Sequence, residues 1–261
     1  MIRALATREY SSVEMMASAT SKVIEDSTTV LTGSGLPMIA VALAMKTRTP
    51  NITVVFESGS IAPRIPLLPI SVGDSRSSYR AVMATSMDYV LSSAQAGFID
   101  YGMLGAAQID LYGNINTTVI GEYDKPKARL PGSGGAMDLG SFCWKTIVMM
   151  QQSPRRFVNR LDFLTTPGYL DGPGKREEAG LPNETGPYRV VTQLGVMGFE
   201  EATKRMTLLS VHPGVSIEDV KKNSSFEIVI PSQVDITVAP TAEEIRLLRE
   251  EIDPAKFILR K

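Results

Sequence analysis

The chain has 261 residues, 43% of them hydrophobic and 21% charged, with 27 Lys plus Arg against 28 Asp plus Glu. That balance excludes a disordered chain, and a formal net charge of -1 excludes a general binder of nucleic acid or anionic membrane. A single cysteine excludes an internal disulfide, and a single histidine gives no support to Ser-His or Cys-His catalysis or to a histidine-based metal centre.

The opening residues, MIRALATREYSS, lack the apolar core of a signal peptide, and no segment reaches the length of a membrane span. A cytoplasmic protein is expected. Residues Ser11 to Asp26 predict a helix, because Val13, Met16, Ala17, Thr20, Val23 and Ile24 share one face. Ser11 with Glu14 has the form of a capping box. Thr29-Val30-Leu31 predicts a short strand. Gly33-Ser34-Gly35-Leu36-Pro37 then opens a second helix, Met38 to Thr47, with Pro37 near the start, where helices accept it. Ile52 to Phe56 predicts the next strand and ends at Glu57-Ser58-Gly59. Helix and strand alternate at short intervals, which predicts a parallel sheet covered by helices.

In the middle of the chain, Leu104 to Asp110 and Tyr112 to Asn116 read as a strand, a turn and a returning strand. Gly121 to Arg129 reads as a polar loop, and Pro131 to Asp138 as a tight glycine loop. Lys145 to Met150 and Phe157 to Thr165 read as strands, with a turn at Pro154-Arg155-Arg156. Residues 167–187, PGYLDGPGKREEAGLPNETGP, form a Gly/Pro-rich excursion too long for a simple turn. Arg189 to Thr192 and Val196 to Phe199 predict a hairpin with Gly195 in its turn. Met206 to Val211 predicts a strand, and Ile217 to Lys222 and Ala242 to Ile252 predict helices. With no linker or repeat, residues 1–261 read as one α/β domain: an open, mostly parallel sheet flanked by helices.

Three segments could carry chemistry. The turn Gly33-Ser34-Gly35 lies between a strand and a helix, where backbone N–H groups can face an anion. Met38 stands where a dinucleotide fingerprint needs its third glycine, and no Lys-Ser/Thr follows as in a phosphate loop. The segment therefore reads either as a plain tight turn or as a ligand cradle. Gly132-Ser133-Gly134-Gly135 reads either as a turn or as a set of converging N–H donors for an oxyanion. Neither loop has the Gly-x-Ser-x-Gly form of a serine hydrolase. Glu57, at a strand end, is either a solvated turn residue or a carboxylate facing a ligand crevice. Cys143, beside the apolar run Ile147 to Met150, reads as a small buried residue. Arg155, Arg156 and Arg160 read either as phosphate contacts or, in preference, as a solvated face.

The two glycine loops and Glu57-Ser58-Gly59 occur in a set order. With Ser71-Val72-Gly73-Asp74, Gly105 to Asp110, Gly113 to Asn116, Arg156-Phe157, Pro167 to Gly174 and Ile245 to Pro254, they make the chain resemble the β subunits of class I coenzyme A transferases. The glutaconate branch is the nearest, since Phe56-Glu57-Ser58-Gly59 replaces the Ser-Glu-Asn-Gly common elsewhere in the family. The resemblance spans nearly the whole chain. It implies a ping-pong transfer of CoA between an acyl-CoA and a (di)carboxylic acid through a glutamyl-CoA thioester, with Glu57 as the nucleophile. It implies Gly134 and Gly135 as donors near the acyl oxygen, with Gly33, Gly35, Gln108 and Asn116 around the site. CoA is then a substrate, with no held cofactor and no metal. An α subunit is implied as partner, in an assembly of two α and two β subunits or larger. The same fold also hosts hydrolases, decarboxylases and ring-opening enzymes acting on CoA thioesters, which form the rival reading.

Overall fold

A computed structural model gives the fold and describes residues 10–259. Most of the N-terminal stretch read for a signal peptide lies outside these residues. The chain begins with α1 (Ser12–Ser21), β1 (Thr29–Thr32), α2 (Leu36–Thr47), β2 (Thr53–Phe56) and β3 (Ser60–Ile61). It continues through β4 (Met83–Ala84), α3 (Met87–Gln95), β5 (Tyr101–Leu104), β6 (Gln108–Ile109), β7 (Ile115–Asn116), β8 (Val119–Gly121) and β9 (Pro126–Arg129). Next come α4 (Ala136–Phe142), β10 (Lys145–Met149), α5 (Lys175–Glu178), β11 (Pro187–Val191), β12 (Gly195–Phe199) and β13 (Met206–Val211). The last elements are α6 (Ile217–Lys222), β14 (Asp235–Ile236) and α7 (Ala242–Arg246), which runs on as a π-helical turn, Leu247–Ile252.

Ten strands form one sheet in the order β14-β13-β12-β11-β10-β5-β1-β2-β3-β4. Its centre, β11-β10-β5-β1-β2, is parallel throughout, whereas β12, β3 and β4 add antiparallel edges. The central strands are buried on both faces, so they read as continuous apolar runs. Side-chain alternation still divides them. Val30, Val54 and Ile147 pack with α1, α2 and the C-terminal π turn, and Leu31, Val55 and Val148 pack on the opposite face with residues of α3, α4 and α6.

The first helix carries the expected capping box, with the Glu14 N–H donating to Ser11 Oγ at 3.2 Å and the Ser11 N–H donating to Glu14 Oε2 at 2.7 Å. It ends at Ser21, short of Asp26, where the Ser21 hydroxyl donates back to the Ser18 carbonyl at 2.8 Å. Two local expectations are corrected. Residues 121–129 are a loop only over 122–125: β8 and β9 flank it as a hairpin, anchored by the fully buried Val119 while β9 is largely exposed. Backbone pairing without buried side chains leaves no apolar pattern to read. Residues 157–165 are not a strand: only Phe157 bridges to Ile109, and Asn159, Arg160 and Leu164 are exposed. Buried anchors at its two ends, Phe157 and Thr165, do not pair the residues between them with a strand.

Candidate active site

The strands β1, β2 and β5 are parallel neighbours, with Thr32 opposite both Phe56 and Met103. The segments that leave them, Gly33-Ser34, Glu57 and Gly105 to Ala107, therefore emerge at one edge of the sheet and border one cleft of about 530 Å³. The chain leaves β1 toward β2 on one side, while β5 lies on the other. Open α/β sheets take ligands at the carboxyl ends of strands where the order reverses in this way.

Glu57 is the second residue of a tight turn closed by the Gly59 N–H donating to the Phe56 carbonyl at 2.9 Å. Gly59 has φ +110°, and a Cβ there would stand 2.0 Å from the Thr85 carbonyl oxygen, so the turn requires glycine. The turn carries Glu57, half-buried, to the wall of the cleft. The second glycine loop meets it there. The Gly135 N–H donates to Glu57 Oε1 at 2.9 Å. A Cβ on Gly134 would lie 3.5 Å from Oε1 and one on Gly135 only 3.0 Å from Cδ, so the carboxylate rests against bare backbone. Glu57 Oε2 has no hydrogen-bond partner among the described residues. Thr117 fastens the start of the loop: its hydroxyl donates to the Gly132 carbonyl at 2.8 Å, and its own carbonyl accepts the Gly132 N–H at 3.0 Å.

Glu57, Gly33 and Gly135 thus border the same cleft, with Gly134 beside Glu57. Gly35, at φ +100°, caps α2 and borders an adjacent hollow with Ser34, Leu68 and Ile70. Gln108 and Asn116 are not on this wall. They are buried and bonded to each other, with Asn116 Nδ2 donating to Gln108 Oε1 at 2.7 Å and to the Val119 carbonyl at 2.7 Å. Gln108 Nε2 also donates to Asp162 at 3.0 Å. They hold the β6–β7 hairpin that carries Thr117. Thr117, not singled out from the sequence, and Arg156, for which a solvated face was the preferred reading, do line the cleft. Arg156 is the one cationic side chain on that wall among the described residues. It is set there by the buried neighbour Phe157, whose ring stacks on Phe226 at 5.8 Å.

Cys143 and His212 lie apart from this wall. Cys143 is fully buried, and burial pushes its thiol up to about 12. His212 Nε2 donates to the Thr192 carbonyl at 2.8 Å, while Nδ1 accepts from the Thr237 hydroxyl at 3.0 Å. Burial holds this imidazole below its usual value and so in the neutral form. Among the described residues no group of three or more His, Cys, Asp or Glu side chains could hold a metal ion, and no helix is long and apolar enough to cross a membrane.

A carboxylate with one oxygen held by a fixed N–H and the other open can act as a base, a ligand or a nucleophile. Comparison with known proteins gives the family. The model of the coenzyme A transferase family matches residues 13–223, and the chain belongs to this family. Among individual proteins, it is 38% identical over 260 residues to the B subunit of glutaconate CoA-transferase from Acidaminococcus fermentans, covering 96% of each chain. It is 39% identical over 247 residues to the B subunit of 3-oxoadipate CoA-transferase from Pseudomonas knackmussii, covering 92% of each. The crystal structure of the A. fermentans glutaconate coenzyme A-transferase superposes with a TM-score of 0.92, at 38% identity, over 97% of this chain and 98% of that one. The decarboxylase AibA/AibB superposes with a TM-score of 0.80, at 25% identity, over 95% of this chain and 96% of that one.

Proposed function

We propose that this chain is the nucleophile-bearing subunit of a heteromeric CoA-transferase that moves CoA between an acyl-CoA and a (di)carboxylic acid. The observation that carries the reading is the state of Glu57: Oε1 is held by the Gly135 N–H at 2.9 Å and Oε2 is open beside the cleft. Oε2 attacks the thioester carbonyl, the carbon–sulfur bond breaks, and CoA leaves as thiolate, giving an acyl-glutamyl anhydride. The thiolate attacks the glutamyl carbonyl, the acid leaves as carboxylate, and a glutamyl-CoA thioester remains. The incoming carboxylate attacks that thioester to form a new anhydride and expel the thiolate. Attack of the thiolate on the new acyl carbon then frees Glu57. Each step passes negative charge between oxygen and sulfur, with no net proton transfer. The bare backbone of Gly134 and Gly135 leaves room for the acyl group at Glu57, and fixed N–H donors stabilise the oxyanions.

A second subunit is part of this reading. Val72, 38% exposed, lines the cleft and ends a run containing the exposed Leu67 and Ile70. An apolar rim continuous with an open cleft is suited to a partner that closes it. The relatives, each named as one subunit of a CoA-transferase, support the same arrangement.

Borohydride treatment of the complex with its partner subunit, in the presence of acyl-CoA, tests the reading. The expected product is a Glu57 peptide whose carboxyl is reduced to an alcohol, and Glu57→Gln should lower exchange by at least about 10³-fold. CoA release that needs no acceptor acid and leaves Glu57 unmodified would instead identify a hydrolase, and loss of CO₂ a decarboxylase.

A further inference from the structure

The Gly/Pro-rich excursion 167–187 is tied to the body of the protein by Arg176, on α5, whose side chain is fully buried at 0% exposure. Its guanidinium donates to the carbonyls of Gly140 at 2.6 Å, Ser141 at 2.9 Å, Pro167 at 3.2 Å and Gly168 at 2.9 Å. It also donates to the Thr185 hydroxyl oxygen, from Nε at 3.1 Å and from Nη2 at 2.9 Å. None of these acceptors is a carboxylate. Burial lowers the guanidinium to about 10, so it remains charged at neutral pH. A planar fork bonded to three separate segments fixes their relative positions, and desolvating its charge is costly.

Two of those segments lead to the glycine loop. Gly140 and Ser141 belong to the last turn of α4, and Gly135, the donor to Glu57, stands immediately before its first turn. Arg176 thus grips the far end of a short rod whose near end holds the carboxylate. The second route starts at Pro167 and Gly168. The adjoining Thr166 exchanges backbone hydrogen bonds with Ile115, both at 3.0 Å, and Thr165 Oγ1 accepts the Thr117 N–H at 2.9 Å. Thr117 in turn fastens Gly132. Both ends of the loop 132–135 therefore trace to one guanidinium. The two routes are also packed together, since a Cβ on Gly140 would stand 2.1 Å from Thr166 Cγ2.

We propose that Arg176 is a positioning residue for the chemistry at Glu57, setting the glycine loop against the carboxylate from the side remote from the cleft. The inference rests on the reading of Glu57 as the nucleophile. It gives the excursion a purpose, which is to present Arg176 and its Thr185 acceptor to α4.

The test uses the complex with its partner subunit, carrying Arg176→Lys, Thr185→Ala or Thr185→Ser. A lysine ammonium cannot span the same acceptors, and alanine removes the hydroxyl that orients the fork. For Arg176→Lys and Thr185→Ala the expected result is a fall in kcat, and in the single-turnover rate of Glu57 adduct formation, of about 10- to 100-fold. KM for acyl-CoA should stay within about threefold, because uniform binding is untouched. Thr185→Ser should restore kcat to within about threefold of wild type, since the acceptor returns. Lower thermal stability with unchanged kcat per folded complex would overturn the proposal and reduce Arg176 to a structural clamp. Should Arg176→Lys fail to fold, the Thr185 pair decides by the same criteria. Absence of a trappable Glu57 adduct in the wild type would defeat the Glu57 reading itself. A normal wild-type adduct with unaffected variants would defeat only the role given to Arg176.

Discussion

Two glycines beside Glu57 illustrate different constraints at the scale of the residue. Gly59 is required by its backbone: φ is +110° and the Thr85 carbonyl occupies the space of a side chain. Gly135 has an ordinary φ of -79°, so alanine is conformationally allowed there. The obstacle is Glu57 itself, 3.0 Å from the would-be Cβ at Cδ and 3.1 Å at Oε1. Gly135→Ala should therefore fold with Tm nearly unchanged yet lose at least about tenfold in exchange rate, because the carboxylate is pushed off its donor. Gly59→Ala should instead lower Tm, by the mechanism of left-handed strain plus a backbone clash. Thermal melts alongside steady-state kinetics separate the two. None of this distinction is visible in the letters, where both residues are glycines in a turn.

At the scale of the element, α1 is held by one carboxylate with two duties. Glu14 caps its own helix through the Ser11 N–H and receives Arg249 Nε at 2.6 Å and Nη2 at 2.9 Å from the C-terminal π turn. Burial alone would raise this carboxyl, but the hydrogen bonds from Arg249 and Ser11 outweigh it and hold the group below the ordinary glutamate value of 4.5. A depressed folded-state value means that the unfolded chain binds the proton more readily. The contribution is therefore complete above the ordinary value and is lost as pH falls through the folded one. Glu14→Gln should cost about 2 kcal/mol near neutral pH, and the gap between variant and wild type should narrow below about pH 4.5, as urea unfolding across pH would measure. The capping half of this arrangement is local and was legible from Ser11 and Glu14. The Arg249 half joins residues 235 positions apart and was not.

For the whole molecule, the order β10-β5-β1-β2 is what makes a site. Parallel pairing brings the ends of β1, β2 and β5 to one edge, so turns far apart in the chain share one cleft. That cleft is open along the apolar rim that includes Val72. The isolated chain should therefore show CoA exchange at least about tenfold below that of the complex, and titrating in the partner subunit should restore it, because an uncovered cleft leaves the thioester and carboxylate in water.

The sequence by itself determined the alternation of helices and apolar strands, the capping of α1, the turn chemistry at Glu57 and the membership implied by three ordered motifs. These are local: each depends on neighbouring residues whose spacing expresses a helical or pleated period. Local position left Glu57 divided between turn residue and nucleophile until the ordered motifs implied the second, and the excursion 167–187 was left without a purpose. Only the tertiary structure decided that the Gly135 N–H meets Glu57 from 78 positions away, that Gln108 and Asn116 turn inward to each other, and that Arg176 grips the far end of α4. Those contacts follow from how parallel strands and their crossovers pack, and no period in the chain encodes the distance between segments that packing brings together.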